Sequence, residues 1–358
     1  MPQKLNSKNN FTFKEWQKIK KFKKKELITF YKKFIKNYLS LNKKYCFNKE
    51  LSKKYIFNQI KEVDIKKNYA LKLLPVGIKD NINTKFLSTD YGLRSKKKFN
   101  VGNNANIVDK IINKGGLIFS KTNCAEYAVH YISDKLNVNP HNNKFIAGTS
   151  STGSAIAVSC GALPVAIGTQ TAGSIIRPAS FCGVYGFKPT FGSIDRTGIL
   201  KNNDLFDTVG IISSEIKFIE LVFKNILNNP KDFPWNKKYQ LNLNKFKDKK
   251  KLKIGYFDDS LQILNNSTPN IKEFYQKILK HLKVNLKLNP IKGDLFNKFH
   301  TYHEILYNKS LSYYSKNYIK NKSSLSKILK EILIKGEKIS VKEYDDALIK
   351  TISLKKKI

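Results

Sequence analysis

Hydrophobic positions along the chain fall into distinct textures. Over residues 1–70 apolar side chains recur at helical spacing between lysines, at Phe22, Leu27, Phe30, Phe34 and Leu39. That period predicts amphipathic helices packed on a core built elsewhere in the chain. From Leu73 the pattern changes to short apolar runs alternating with helical ones. Residues 73–78 read as a strand, 107–112 as a helix, and 117–119 as a strand following Gly115-Gly116. This alternation predicts an α/β fold. Residues 145–213 differ again, being poor in charge and rich in Gly, Ala, Ser and Thr, and 239–358 return to Lys-rich amphipathic helices around a strand at 252–257. No internal repeat is visible. The expected organisation is therefore an N-terminal helical segment, 1–70, packing on a larger domain, 71–358.

Length and composition sharpen this outline. The 358 residues, 41% of them hydrophobic, suffice to fill one large core or two small ones. No apolar stretch approaches the roughly 18 residues of a membrane span, and Lys interrupts the first 30 residues where a signal peptide would be apolar. The reading is a cytoplasmic chain. Cys46, Cys124, Cys160 and Cys182 form no C-x-x-C pair, so neither a disulfide framework nor a zinc site is indicated.

The net charge of +40 raises the question of a nucleic-acid partner. Its make-up argues against one. Arg94, Arg177 and Arg196 are the only arginines and the remaining 64 cations are Lys, in a chain crowded with Asn, Ile, Phe and Tyr. Those residues share A/T-rich codons, whereas bidentate contacts to phosphates and bases favour Arg. The charge reads as a compositional drift. Positions that escaped it, the three arginines and the small-residue runs, become the places to look for chemistry.

The runs are Ala147-Gly-Thr-Ser-Ser-Thr-Gly-Ser-Ala-Ile-Ala-Val158 and Gly168-Thr-Gln-Thr-Ala-Gly-Ser-Ile-Ile-Arg-Pro178. A flexible linker would be flanked by polar residues, but these turns alternate with apolar segments that need burial. A phosphate loop fails because Ser154 stands where the spacing of Gly148 and Gly153 requires Lys. A nucleophile elbow fails because neither Ser150 nor Ser174 lies in a G-x-S-x-G frame. Two serines in small-residue turns remain, together with Lys79, which ends the apolar run after Pro75 and Gly77. Lys79 reads either as a snorkelling surface residue or as a buried active-site base.

These residues resemble the amidase signature family, whose Ser-cisSer-Lys enzymes hydrolyse or transfer amide groups. The likeness carries on through Val76-Gly-Ile-Lys79-Asp80, similar to the family's lysine strand, and Lys121-Thr-Asn-Cys-Ala-Glu126, similar to its next helix entry. Asn139-Pro-His141-Asn, Gly192-Ser-Ile-Asp-Arg196 and Asp207-Thr-Val-Gly210 follow in the family's order, so motifs cover about residues 73–213. The resemblance implies an α/β/α sandwich with a mixed central sheet. It implies Ser174 as nucleophile, a neutral Lys79 as base and Ser150, entered through a cis Thr149–Ser150 peptide, as the bridge between them. It implies an oxyanion hole from the backbone N–H groups of Thr171, Ala172, Gly173 and Ser174. Gly148, Thr149, Ser151, Gln170 and Arg177 would support these groups, Arg177 by anchoring the turn after Ser174. Neither metal nor organic cofactor is required. The five histidines fit no Ser-His-Asp arrangement and read as structural or surface residues.

Departures from the family pattern shape the functional reading. Thr149 and Thr152 replace common glycines. Gln170 stands where the amidotransferase A subunits have Asp, which favours a stand-alone amidase acting on a small-molecule amide, with no membrane partner and a homodimer left open. The alternative is the glutamine-hydrolysing A subunit of a Glu-tRNA(Gln)/Asp-tRNA(Asn) amidotransferase, the one setting in which nucleic acid would be a partner. No Arg follows Arg196, although Arg is the natural bidentate partner for the α-carboxylate of glutamine. Family members also continue past the equivalent of Lys357-Ile358 into further sheet, so the chain reads as short at its C-terminus, and a truncated inactive relative is the third reading.

Overall fold

In the computed structural model, the structure describes residues 11–93, 101–129, 137–228, 253–258, 260–317, 319 and 325–356. Arg94, His130 among the five histidines, and Leu252 at the start of the strand read at 252–257 lie outside them. The chain divides into two compact units, Met1–Lys237 and Lys238–Ile358.

The first unit is built on a mixed six-stranded sheet. Its strands are β1 (Asn48–Glu50), β2 (Pro75–Lys79), β3 (Leu117–Thr122), β4 (Val165–Gln170), β5 (Tyr185–Phe187) and β6 (Thr208–Ser213), in the order β1-β3-β2-β4-β6-β5. The central β3-β2-β4 strands run parallel, and β1, β6 and β5 join antiparallel. Every residue of β2, β3, β4 and β6 is buried, as expected of strands covered on both faces.

Three N-terminal helices, α1 (Phe13–Ile19), α2 (Lys24–Tyr45) and α3 (Lys53–Glu62), contribute to the same core. A capping box starts α1: Thr12 Oγ1 accepts the Glu15 N–H at 3.1 Å, and Glu15 accepts the Thr12 N–H at 2.7 Å. The buried face of α2 is Leu27, Tyr31, Ile35 and Tyr38, rotated from the predicted stripe, so that Leu39 is exposed and Phe30 and Phe34 flank the contact. The reason is polar. The Tyr31 hydroxyl donates to the Leu73 carbonyl and the Tyr38 hydroxyl to Ser120 Oγ at 2.7 Å, which lets the two tyrosines go inside.

Helices α4 (Asn106–Asn113), α5 (Thr152–Ser159), α6 (Ile176–Phe181) and α7 (Ile216–Ile226) complete the unit. Short α5 is buried throughout. At Gly153 a Cβ would lie 2.4 Å from both the Asn123 nitrogen and the Phe47 oxygen, backbone atoms that cannot move aside singly. Gly153→Ala is therefore expected to destabilise the protein by about 1–3 kcal/mol, read as a lowered urea midpoint.

The second unit holds β7 (Lys253–Phe257) and β8 (Lys287–Ile291), a parallel pair joined through α8 (Gln262–Asn265) and α9 (Pro269–Asn285). Helices α10 (Asp294–Asn297), α11 (Phe299–Ser315), α12 (Lys327–Lys338) and α13 (Val341–Lys356) follow. Leu306, Leu311, Leu329 and Leu333 are buried within it. Among the described residues no helix is long and apolar enough to cross a membrane.

Candidate active site

The C-terminal ends of parallel strands are where loops can converge on a ligand without obstructing the sheet. Here β2 and β4 are parallel neighbours, in register from Val76↔Val165 to Ile78↔Ile167. Lys79 closes β2 and is fully buried. Its Nζ lies 2.8 Å from Ser150 Oγ, 2.9 Å from Thr169 Oγ1 and 3.3 Å from the Thr169 carbonyl. Burial lowers its pKa to about 8, while Cys124 and Asp207 pull it upward. An amine of this kind, held against a buried hydroxyl, can take up a proton near neutral pH.

The loop that brings Ser150 to Lys79 turns at Gly148, whose φ is 75° and whose Cβ, were there one, would meet Pro178 Cα at 2.8 Å. The Thr149–Ser150 peptide is cis. Thr152, in the first position of α5, donates its hydroxyl to the Gly148 carbonyl at 2.8 Å, so the residue that replaces a glycine tightens the turn. Arg177 Nε and Nη2 both donate to the Thr149 carbonyl, at 3.2 and 3.1 Å, tying this loop to the segment after Ser174. Ser151 completes the junction. Its N–H donates to the Ser174 carbonyl and its hydroxyl to the Thr169 carbonyl, each at 3.2 Å.

Gln170 organises the second turn. Its Nε2 donates to the Ala172 carbonyl at 2.8 Å, and its Oε1 accepts the N–H groups of Ile175 and Ile176 at 2.8 and 3.1 Å. Ser174 sits inside the loop so drawn and is buried. The N–H groups of Ala172 and Gly173, and that of Ser174, donate to no other described residue. Three neighbouring donors left over in one turn can receive an anionic oxygen.

The structure thus brings Lys79, Ser150, Ser151, Thr149, Gly148, Gln170, Arg177 and Ser174 into one locality. One contact of the implied relay is absent. Ser150 Oγ reaches Lys79, but the Ser174 hydroxyl is not hydrogen-bonded to Ser150, and the two loops meet through backbone instead. Such contacts often tighten only when substrate is bound. His141 stands apart, its Nε2 2.9 Å from the Cys182 carbonyl, and His281, His300 and His303 belong to the second unit. Among the described residues no group of three His, Cys, Asp or Glu side chains gathers as a metal site would require.

Several site residues had no role assigned from sequence. Thr169 accepts from both Lys79 and, at 2.9 Å, Asn81 Nδ2. Asp207 accepts the Thr171 hydroxyl at 2.6 Å. Lys121, expected at a helix entry, instead lies near the end of β3, buried, where it donates to the Ile82 carbonyl and to Thr89 Oγ1 at 3.0 Å. Burial lowers its pKa to about 8 as well, with Asp80 the first of the groups opposing that shift. A 3-10 turn at Glu126–Ala128 is the helix that follows. The signals were present in part, since Thr169 adjoins Gln170 in the small-residue run and Asp207 opens the Asp-Thr-Val-Gly motif.

Comparison with known proteins gives the family and the fold. The chain is 33% identical over 253 residues to the glutamyl-tRNA(Gln) amidotransferase A subunit of Clostridium botulinum (strain Langeland), an alignment covering 66% of this chain and 50% of that protein. It spans about half the length of the curated relatives it matches. Its fold is shared with a crystal structure of an amidase (TM-score 0.73, 20% identity, 90% of this chain and 74% of the other). It is likewise shared with the Kluyveromyces lactis allophanate hydrolase (TM-score 0.78, 18% identity, 96% and 58%). The Amidase family model matches residues 31–351. With the mixed sheet, the lysine strand and the two serine loops in place, the chain belongs to the amidase signature family.

Proposed function

We propose that the protein is a cytoplasmic amidase that hydrolyses a small-molecule carboxamide through an acyl-enzyme on Ser174. The observation that carries this reading is the fully buried Lys79 amine, set 2.8 Å from Ser150 Oγ. In the first half-reaction the Ser174 oxygen bonds to the amide carbon, and its proton passes by way of Ser150 to neutral Lys79. The carbonyl oxygen becomes an oxyanion facing the N–H groups of the 171–174 turn. Collapse breaks the C–N bond, and the proton held on Lys79 leaves with ammonia or an amine. Water then attacks the ester by the same route in reverse, releasing the acid and restoring Ser174. Gln170 and Arg177 support this reading by bracing the two turns, and none of these steps calls for a metal or organic cofactor.

The test is ammonia release from a panel of simple carboxamides and from free glutamine. Simple amides are expected to turn over, with kcat/KM rising about tenfold per pH unit below pH 8 and level above it, because protonated Lys79 cannot accept a proton. A profile flat down to pH 5 would overturn the neutral-lysine mechanism. A second reading, the glutamine-hydrolysing A subunit of a tRNA-dependent amidotransferase with partner subunits, is favoured by the name of the botulinum relative. Release from glutamine alone would select it, and release from none of the panel would support an inactive relative.

A further inference from the structure

Asp207 immediately precedes β6, beside the end of β4, where Thr208 pairs with Gln170. Its carboxylate accepts three hydrogen bonds. The Thr171 hydroxyl donates to Oδ1 at 2.6 Å, and the N–H groups of Asn202 and Asn203 donate to Oδ2 at 2.8 and 2.9 Å. Three donors converging on the carboxyl favour its ionised form. The loop holding it is pinned in turn by Arg196, which donates to the carbonyls of Asn203, Asp204 and Asp207 at 3.2–3.3 Å. Enclosure pushes the Asp207 carboxyl up, and the Asn203 N–H, the Thr171 hydroxyl, the Asn202 N–H and Arg196 oppose it.

Two features connect this carboxylate to Lys79. A cavity of about 10 Å³, enough for roughly one water molecule, has Asn81, Thr169, Thr171, Arg196 and Asp207 in its wall. Its wall thus includes both Thr169, whose hydroxyl Lys79 contacts, and Thr171, whose hydroxyl Asp207 holds. Asn81, fixed to Thr169 by its Nδ2, has a buried Oδ1 with no hydrogen-bond partner. The second feature is charge. Asp207 favours the protonated form of Lys79 against the burial that disfavours it. The other ionisable group acting on Lys79 is the Cys124 thiol, whose own pKa is pushed up to about 12 by burial, so it carries no charge in the working range. Lys121 and Asp80 stand one strand over and at the end of β2, and Arg196 faces Asp207.

We infer that Asp207 is a positioning residue for the amide-hydrolysing site: through Thr171 it holds the oxyanion turn, and across the small cavity beside Thr169 its negative charge acts on Lys79. This rests on the reading of Ser174 and Lys79 proposed above. The role has a sign. Removing the negative charge lowers the pKa of Lys79 further, extending the range of the neutral base toward acid, while release of Thr171 loosens the turn and slows the reaction.

The two effects separate in the rate at which a fluorophosphonate probe labels the protein. In labelling, Ser174 Oγ bonds to phosphorus, the P–F bond breaks, fluoride leaves and the serine proton passes toward Lys79. Wild type is expected to be labelled at Ser174, mapped by peptide mass, at a rate that rises with pH and levels above about 8. Asp207→Asn is expected to lower the plateau rate about tenfold and to move the acid midpoint down by about half a pH unit or more. Thr171→Val, which keeps the carboxylate, should lower the plateau by a similar factor with the midpoint unmoved. An Asp207→Asn midpoint that stays in place, or a Thr171→Val plateau equal to wild type, overturns the inference. The latter decides the matter even if Asp207→Asn fails to fold. Wild type that remains unlabelled at Ser174 at every pH overturns the nucleophile assignment itself, a distinguishable failure.

Discussion

Ser174→Ala is expected to cut amide turnover by at least about 10⁴-fold while leaving the thermal midpoint within about 2 °C of wild type. Both halves follow from how the residue is held. Its carbonyl accepts the Ser151 N–H and so helps join the two serine loops, but that bond belongs to the backbone and survives substitution. Its hydroxyl makes no hydrogen bond to another described residue, so removing it leaves no partner stranded. What disappears is the atom that forms the acyl bond. Gln170 still draws the turn through Ala172, Ile175 and Ile176, and Arg177 still holds the Thr149 carbonyl. The checks are ammonia release on whichever amide wild type accepts and a thermal melt of each protein. Turnover above about a thousandth of wild type would move the nucleophile to another side chain.

The turns and the strand end that bring these side chains together were legible wherever they were local. Lys79 after Pro75 and Gly77, Ser150 between Gly148 and Gly153, and Ser174 after Gly173 carry their environment in adjacent residues, because small side chains mark turns where backbone and loops approach closely. The groups that escaped reading depend on strand order. Thr169 meets Lys79 because β2 and β4 are neighbours, and Asp207 meets Thr171 because β6 returns antiparallel along β4. No periodicity along the chain encodes either encounter. Polarity misled in the same way elsewhere. The strand read at residues 117–119 continues through Lys121, expected at a helix entry, to Thr122, because Ile82 and Thr89 supply acceptors for the ammonium inside the protein. On α2, Leu39 fits the apolar stripe by type and is exposed, whereas Tyr31 and Tyr38 go inside on the strength of their hydroxyl partners.

Lys79→Met is expected to abolish most turnover, by about 10²–10⁴-fold, and at the same time to stabilise the fold near neutral pH. In the unfolded chain the amine titrates near its ordinary 10.5, and in the folded protein burial has lowered this to about 8. Below pH 8 both states hold the proton, and the cost of enclosing the ammonium is borne in full. Between 8 and 10.5 the unfolded state binds more protons than the folded one, so wild-type stability rises with pH across that window. The two pKa values correspond to about 3 kcal/mol for a fully buried group. Methionine has similar length without the charge. Its substitution leaves Ser150 Oγ short of a partner, while Thr169 Oγ1 keeps Asn81, which brings the net gain at pH 7 down to about 1–2 kcal/mol. Lys121 titrates over the same range in both proteins and cancels from their difference. Urea midpoints at pH 7 and pH 10 are therefore expected to show the advantage of Lys79→Met lost or reversed at pH 10, as wild type gains about 2.5 kcal/mol over that interval. Parallel stability curves would put Lys79 back near its ordinary pKa, and with it would go the neutral base that attack by Ser174 requires.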